Sequence, residues 1–186
     1  DRDDDGALSL NELRTVGGFA RDHSRRSNES LAKRLKRFAD FATRKPAPGD
    51  VAPPFDLRDL NGNVVSLAEL LETKPVLIET GSYTCPVFRG RHESIEQLAE
   101  EFGDRVHLVV LYGREAHPGS GRFGEIEQPT RNEDRFKLAA YAARELSINV
   151  PVLVDDIDDA VFHAYGALPN CGYLIGQDGR VFYKMP

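Results

Sequence analysis

Cys85 stands four residues after Gly81 and directly before Pro86, just beyond the apolar run Pro75-Val76-Leu77-Ile78. A strand that breaks at a glycine and hands its next residues to a helix leaves unpaired N–H groups of the first helical turn facing the side chain there. The positive helix end favours a thiolate, so the spacing predicts a reactive sulfur with a lowered pKa. Pro86 suits the first helical position, where no N–H is required. The competing reading is a buried cysteine packed as a small hydrophobe.

A second set of reactive side chains follows another apolar run, residues 106–111, in Tyr112-Gly113-Arg114-Glu115-Ala116-His117-Pro118. Two parallel strands would bring both sets to the carboxyl edge of one sheet, where open α/β sheets bind ligands. There His117 is a proton partner for Cys85, with Glu115 holding the imidazole or setting its tautomer. The alternative is an exposed loop histidine.

A third pattern lies in residues 1–12. Asp1, Asp3 and Asp5, then Gly6, the Ala7 carbonyl, Ser9 and Glu12 occupy the ligand and turn positions of an EF-hand calcium loop. Calcium is therefore the expected metal, against the alternative of a merely acidic segment.

The elements that must position these groups can be read from pattern and punctuation. Leu31, Leu35, Phe38 and Ala42 recur at helical spacing, with a basic face of Lys33, Arg34, Lys36 and Arg37 read as solvated. Lys45-Pro46-Ala47-Pro48-Gly49-Asp50 marks a boundary between a calcium-loop and helical segment, residues 1–45, and a second domain, residues 46–186. In the second domain, residues 51–57 read as extended, Asn61-Gly62-Asn63 as a hairpin turn and 67–72 as a short helix. A central strand at 76–78, a helix at 85–102 and a strand at 106–111 then form a right-handed βαβ unit. A helix at 131–146, a strand at 150–154 and a helix at 155–165 come next. Asp155, Asp156, Asp158 and Asp159 are read as first-turn acids suited to the helix dipole, with a second metal site as the weaker alternative. Strands at 173–175 and 181–183 close the chain around Gln177-Asp178-Gly179-Arg180. This order is that of a thioredoxin-like α/β domain, a mixed sheet flanked by helices.

Composition narrows the function classes. The 186 residues, 40% hydrophobic and 29% charged, can build one full core. The net charge of -6 gives no reason to expect nucleic acid. No apolar run approaches the roughly 20 residues of a membrane helix. Two cysteines, Cys85 and Cys171, are too few for a disulfide scaffold. Both ends of the chain are expected to be trimmed from a longer protein. The sequence is compatible with a homodimer.

Gly81-Ser82-Tyr83-Thr84-Cys85-Pro86-Val87-Phe88, with Tyr112-Gly113-Arg114-Glu115-Ala116-His117-Pro118 and Ala164-Tyr165-Gly166-Ala167-Leu168-Pro169, resembles the iodothyronine deiodinases, with Cys85 where those enzymes carry selenocysteine. The resemblance covers roughly residues 49–183. It implies reductive dehalogenation driven by a thiol reductant. Cys85 would be the nucleophile, Ser82 and Thr84 would hydrogen-bond its sulfur, and Tyr112, Glu115 and His117 would relay protons. The histidine and arginine that clamp the hormone in that family are replaced here by Pro129 or Thr130, and by Cys171. The implied substrate is a small molecule, a halogenated aromatic.

Phe88 stands where a thioredoxin carries its second cysteine, which excludes a local Cys-x-x-Cys pair. In thioredoxin-like folds the segment before the last strand pair, often with a cis proline, lies beside the nucleophile. Pro169 fits that part and makes Cys171 a candidate to resolve oxidised Cys85, against a strand-edge cysteine with no redox role. A glutathione-peroxidase site would need a tryptophan, and there is none. Two alternatives remain. One is a peroxiredoxin-like thiol peroxidase acting on a peroxide, although Ile78 replaces its expected proline. The other is a calcium-responsive, non-enzymatic binding module on the same scaffold.

Overall fold

The computed structural model describes residues 40–41 and 44–185. The calcium-loop residues Asp1, Asp3, Asp5, Ala7, Ser9 and Glu12, and the stripe Leu31, Leu35, Phe38 and Ala42, lie outside the described residues. Along the chain come β1 (Asp56–Asp59), β2 (Val64–Ser66), α1 (Leu67–Thr73), β3 (Val76–Gly81), α2 (Pro86–Phe102) and β4 (His107–Tyr112). After a 3-10 turn at Gly121–Phe123 follow α3 (Asn132–Glu145), β5 (Val152–Val154), α4 (Ala160–Ala164), β6 (Gly172–Ile175) and β7 (Val181–Met185).

The strands form one mixed sheet in the order β2-β1-β5-β4-β3-β6-β7. β3, β4 and β5 are parallel to one another, and β1 and β6 join them antiparallel on either side. Alternation along β4 shows why the centre of this sheet is apolar throughout. Val109 and Leu111 face a core shared with Ile78, Tyr165, Tyr173 and Leu67 of α1, whereas Leu108, Val110 and Tyr112 face a core shared with Phe88 and Ile95 of α2 and Ala139 and Ala142 of α3. A sheet buried on both faces needs hydrophobic residues at consecutive positions, and runs such as His107-Leu108-Val109-Val110-Leu111-Tyr112 supply them.

The hairpin at Asn61-Gly62-Asn63 is set by its own side chains. Asp59 Oδ1 accepts the N–H groups of Asn61 and Asn63 at 2.9 and 2.8 Å, and Gly62 takes φ 87°, a conformation that costs glycine little.

Most element boundaries differ from the sequence pattern by a residue or more, and three of the differences bear on the site. β3 runs on to Gly81 rather than stopping at Ile78, because Glu79 and Thr80 are buried within it. β5 begins at Val152 rather than at residue 150. α4 covers only Ala160–Ala164, not residues 155–165, so the four acids precede the helix instead of forming its first turn. Asp159 sits at φ 58°, in the left-handed region, which stops the helix from extending backwards. Asp155 lies before that turn, and its carboxylate accepts the N–H groups of Phe162 and Val161 at 2.7 and 3.4 Å. Asp159 pairs with buried Arg135 of α3 at 2.8 Å, and Asp156 accepts from Asn132 at 2.9 Å. These acids dock α4 and α3 to each other. Among the described residues no group of three or more His, Cys, Asp or Glu side chains is arranged to hold a metal.

Candidate active site

Cys85 caps the N-terminus of α2, with φ -82° and ψ 113°, and Pro86 occupies the first turn. Its N–H closes a turn onto the Ser82 carbonyl at 3.2 Å, and its own carbonyl accepts from Arg89 at 3.0 Å. The turn is tight because Gly81 has no side chain: a Cβ there would penetrate the ring of Phe88. Phe88 is itself fully buried one helical turn into α2. The residue in the second-cysteine position is thus part of the packing that shapes the turn.

The loop after β4 is tied to this turn by a hydrogen-bonded lattice. Tyr112 Oη donates to Glu115 Oε1 at 2.5 Å and accepts the Tyr83 N–H at 3.1 Å. Glu115 Oε2 accepts the Thr84 N–H at 2.7 Å. Thr84 Oγ1 accepts the His117 N–H at 3.0 Å, and Ser82 Oγ accepts the Ala116 N–H at 3.2 Å. All but His117 of the six residues proposed from sequence are buried, and the backbone brings all six to one edge of the sheet. The arrangement differs from the sequence expectation in how they connect. Glu115 holds Tyr112 and the Thr84 amide rather than the His117 imidazole, and His117 joins through its backbone, with its side chain exposed. Ser82 and Thr84 each bind loop amides through the hydroxyl oxygen.

The electrostatics of Cys85 also reverse one expectation. The sulfur sits with Cys85 only 4% exposed. Burial pushes its pKa upward, the amides of Val87 and Phe88 pull it down by less, and the nearby carboxylates Glu79 and Glu115 push it up further. The helix end therefore moderates the cost of a buried thiolate without overcoming it. Burial and the Glu115 carboxylate likewise raise the Tyr112 hydroxyl well above the usual phenol range, which keeps it a proton donor.

Cys171 is a free thiol, as is Cys85. It packs in the core on the α1 side of the sheet, whereas Cys85 packs with α2 and α3 on the other. Its N–H donates to Thr80 Oγ1 at 2.9 Å and its carbonyl accepts the Thr80 N–H at 2.8 Å, so it is pinned to β3. Burial pushes its thiol up to about 11. Among the described residues the cis peptide bond is Lys45–Pro46, so Pro169 is not the cis proline expected beside the nucleophile.

Two features escaped the sequence pattern. Arg89, on the first turn of α2, lies over the rings of Tyr83 and Phe123 at 4.6 and 5.5 Å, and Tyr83 meets Tyr141 edge-on at 5.1 Å. The aromatic residue two before Cys85 and the arginine four after it were the available signals. The other is Glu79, an acid six residues before Cys85 inside β3. It is 4% exposed, Oε2 has no hydrogen-bond partner, and burial raises its pKa to about 8.

The architecture is shared with thiol oxidoreductases. The thioredoxin domain of a thiol-disulfide oxidoreductase from Bacteroides vulgatus superposes with a TM-score of 0.58 at 22% identity, over 75% of this chain and 89% of that one. A peroxidoxin from Mycobacterium tuberculosis superposes with a TM-score of 0.54 at 20% identity, over 74% and 84% of the two chains. These likenesses establish the thioredoxin-like fold. In sequence, the chain is 34% identical to thyroxine 5-deiodinase of Gallus gallus over 116 residues, which is 60% of this chain and 44% of that protein. It is 29% identical to type I iodothyronine deiodinase of Xenopus laevis over 141 residues, 73% of this chain and 55% of that protein. The chain thus spans about half the length of the curated relatives it matches. The family model for iodothyronine deiodinase matches residues 15–185, the stretch that carries the Cys85 turn and the loop bound to it, and the chain belongs to that family.

Proposed function

We propose that this protein is a thiol-dependent reductive dehalogenase acting on a halogenated aromatic small molecule, with Cys85 as nucleophile. The observation that carries the reading is the lattice in which Tyr112, Glu115, Ser82 and Thr84 bind the loop after β4 to the Cys85 turn. A buried cysteine of merely structural use needs no phenol–carboxylate pair fixed around its turn.

In the proposed reaction the Cys85 thiolate attacks the halogen, and the carbon–halogen bond breaks with its electron pair left on carbon. That carbon takes the proton of the Tyr112 hydroxyl, and Tyr112 regains one from solvent by way of exposed His117. The products are the dehalogenated ring and a sulfenyl halide on Cys85. One equivalent of a thiol reductant displaces halide and forms a mixed disulfide, and a second releases Cys85 and the oxidised reductant. In the same proposal the hydroxyl protons of Ser82 and Thr84 face the developing thiolate, and exposed His117 exchanges protons with solvent at the mouth of the site.

The test is a parallel assay of dithiothreitol-driven iodide release from an iodinated phenol and of peroxide consumption, with Cys85→Ser as control. Iodide release lost in that variant supports the proposal. Peroxide consumption alone would replace it with a thiol peroxidase, and neither activity would leave a binding module. The 1–12 loop enters the proposal as a calcium site held by Asp1, Asp3, Asp5, Ala7, Ser9 and Glu12. A melting temperature that rises with calcium in protein carrying the loop supports it, and one that does not move counts against it.

A further inference from the structure

The proposed mechanism leaves one buried ionisable group unused. Glu79 lies on the face of β3 that carries Leu77, toward the core that holds Cys85. Its strand partners, Val110 on β4 and Gly172 on β6, bring no charge and no hydrogen-bonding side chain. From α2 the group that acts on it is Arg91, which favours the carboxylate. Burial outweighs that attraction. A carboxyl placed among apolar residues with one oxygen unpartnered is costly in either protonation state and far costlier as an anion. The Glu79 carboxylate in turn disfavours a thiolate at Cys85. Glu79 and Cys85 are thus two buried acids on one face of the sheet, and each is stabilised when the other keeps its proton.

We propose that Glu79 is the proton-holding partner of Cys85. It gives its proton to the sulfur when Cys85 is expelled as a thiolate in the last thiol exchange, and it takes that proton back when Cys85 becomes a nucleophile again. The balance is internal. Cys85–S⁻ and Glu79–COOH become Cys85–SH and Glu79–COO⁻, and the reverse transfer opens the next cycle. This matters because the thiolate is disfavoured by burial here, so a leaving sulfur without a nearby acid would be a poor leaving group. Glu79 acts through Cys85 and is a positioning residue for the proton rather than a group assigned to touch substrate. The inference rests on Cys85 as the reactive thiol.

The experiment is the pH profile of iodoacetamide alkylation at Cys85, followed by peptide mass, in wild-type protein and in Glu79→Gln. Two coupled steps are expected in wild type. Glu79→Gln should show a single step at lower pH and, between the two midpoints, alkylation roughly three- to tenfold faster, the effect of a half-unit to one-unit fall in the thiol pKa. Superimposable profiles would overturn the inference. A second measurement serves if Glu79→Gln does not fold. Infrared difference spectra of wild-type protein labelled with 13C-glutamate should show a protonated carboxyl band at neutral pH that shifts when Cys85 is alkylated. Absence of the band, or a band blind to Cys85, would equally overturn it. Neither readout uses dehalogenation. Coupled profiles without iodide release would refute the proposed function and keep Glu79, and uncoupled profiles with Cys85-dependent release would do the opposite.

Discussion

Tyr112 and Glu115, three residues apart, are joined by a 2.5 Å hydrogen bond from the phenol to the carboxylate, buried at the carboxyl edge of the sheet. The same phenol accepts the Tyr83 N–H, and the other carboxylate oxygen accepts the Thr84 N–H. One pair thus locks both sides of the two residues that lead into Cys85.

Tyr112→Phe removes the donor to Glu115 and the acceptor for Tyr83 while keeping the ring. Leaving those buried groups unpartnered should cost about 1–3 kcal/mol of stability, read from urea midpoints. If the phenol delivers the proton to carbon, kcat should fall on the order of 10²-fold with little change in KM. A stability loss with kcat intact would make Tyr112 a brace only.

Thr84→Val keeps the side-chain shape and the N–H to Glu115, but deletes the acceptor for the His117 N–H. A loss of about 1–2 kcal/mol is expected, and Thr84→Ser should restore most of it. Equal stability of the Val and Ser variants would contradict the lattice.

Gly81→Ala should be among the most damaging small substitutions in the chain. Its new methyl would lie inside the ring of Phe88, which is buried against the core and cannot retreat. Overpacking of this kind costs typically about 1–3 kcal/mol. Phe88→Leu in the same protein should recover part of the loss, and thermal unfolding of the single and double variants measures it.

Glu79 gives stability a pH dependence whose sign is opposite to that of a salt-bridged acid. Its folded pKa of about 8 lies above the ordinary 4.5, so between those values the folded state binds the extra proton and the unfolded state does not. Stability from this group is full below the unfolded pKa and is lost as pH rises through the folded one. Urea unfolding of wild type against Glu79→Gln should therefore show the wild type losing relative stability from about pH 5 to about pH 8, with no further divergence above. A constant difference across that range would mean that Glu79 is charged throughout.

Much of this was readable in the sequence, because the βαβ unit, its parallel strands and the meeting of the Cys85 turn with the 112–117 loop follow from apolar runs and glycine breaks. Burial was the part that pattern could not supply. Glu79 looks like the polar end of a strand, yet the strand continues through it because the carboxyl is buried near neutrality instead of reaching solvent. The same burial reverses the expected direction at Cys85, since the helix end acts on a sulfur that water scarcely reaches. Glu115 illustrates a second limit. Spacing placed it beside His117, but its partners are a phenol three residues back and an amide 31 residues back in the chain, a choice made by three-dimensional packing. The acids before α4 mark a third, because a left-handed Asp159 leaves no trace in composition.

The most direct test of Cys85 as the halogen-abstracting nucleophile is a single turnover of reduced protein with an iodinated phenol and no external thiol. One deiodinated ring should form per Cys85 thiol lost, with the ring free in solution and iodide released only when dithiothreitol is added. Immediate iodide release with the ring attached to Cys85 as a thioether, or deiodination with the Cys85 thiol intact, would contradict the account.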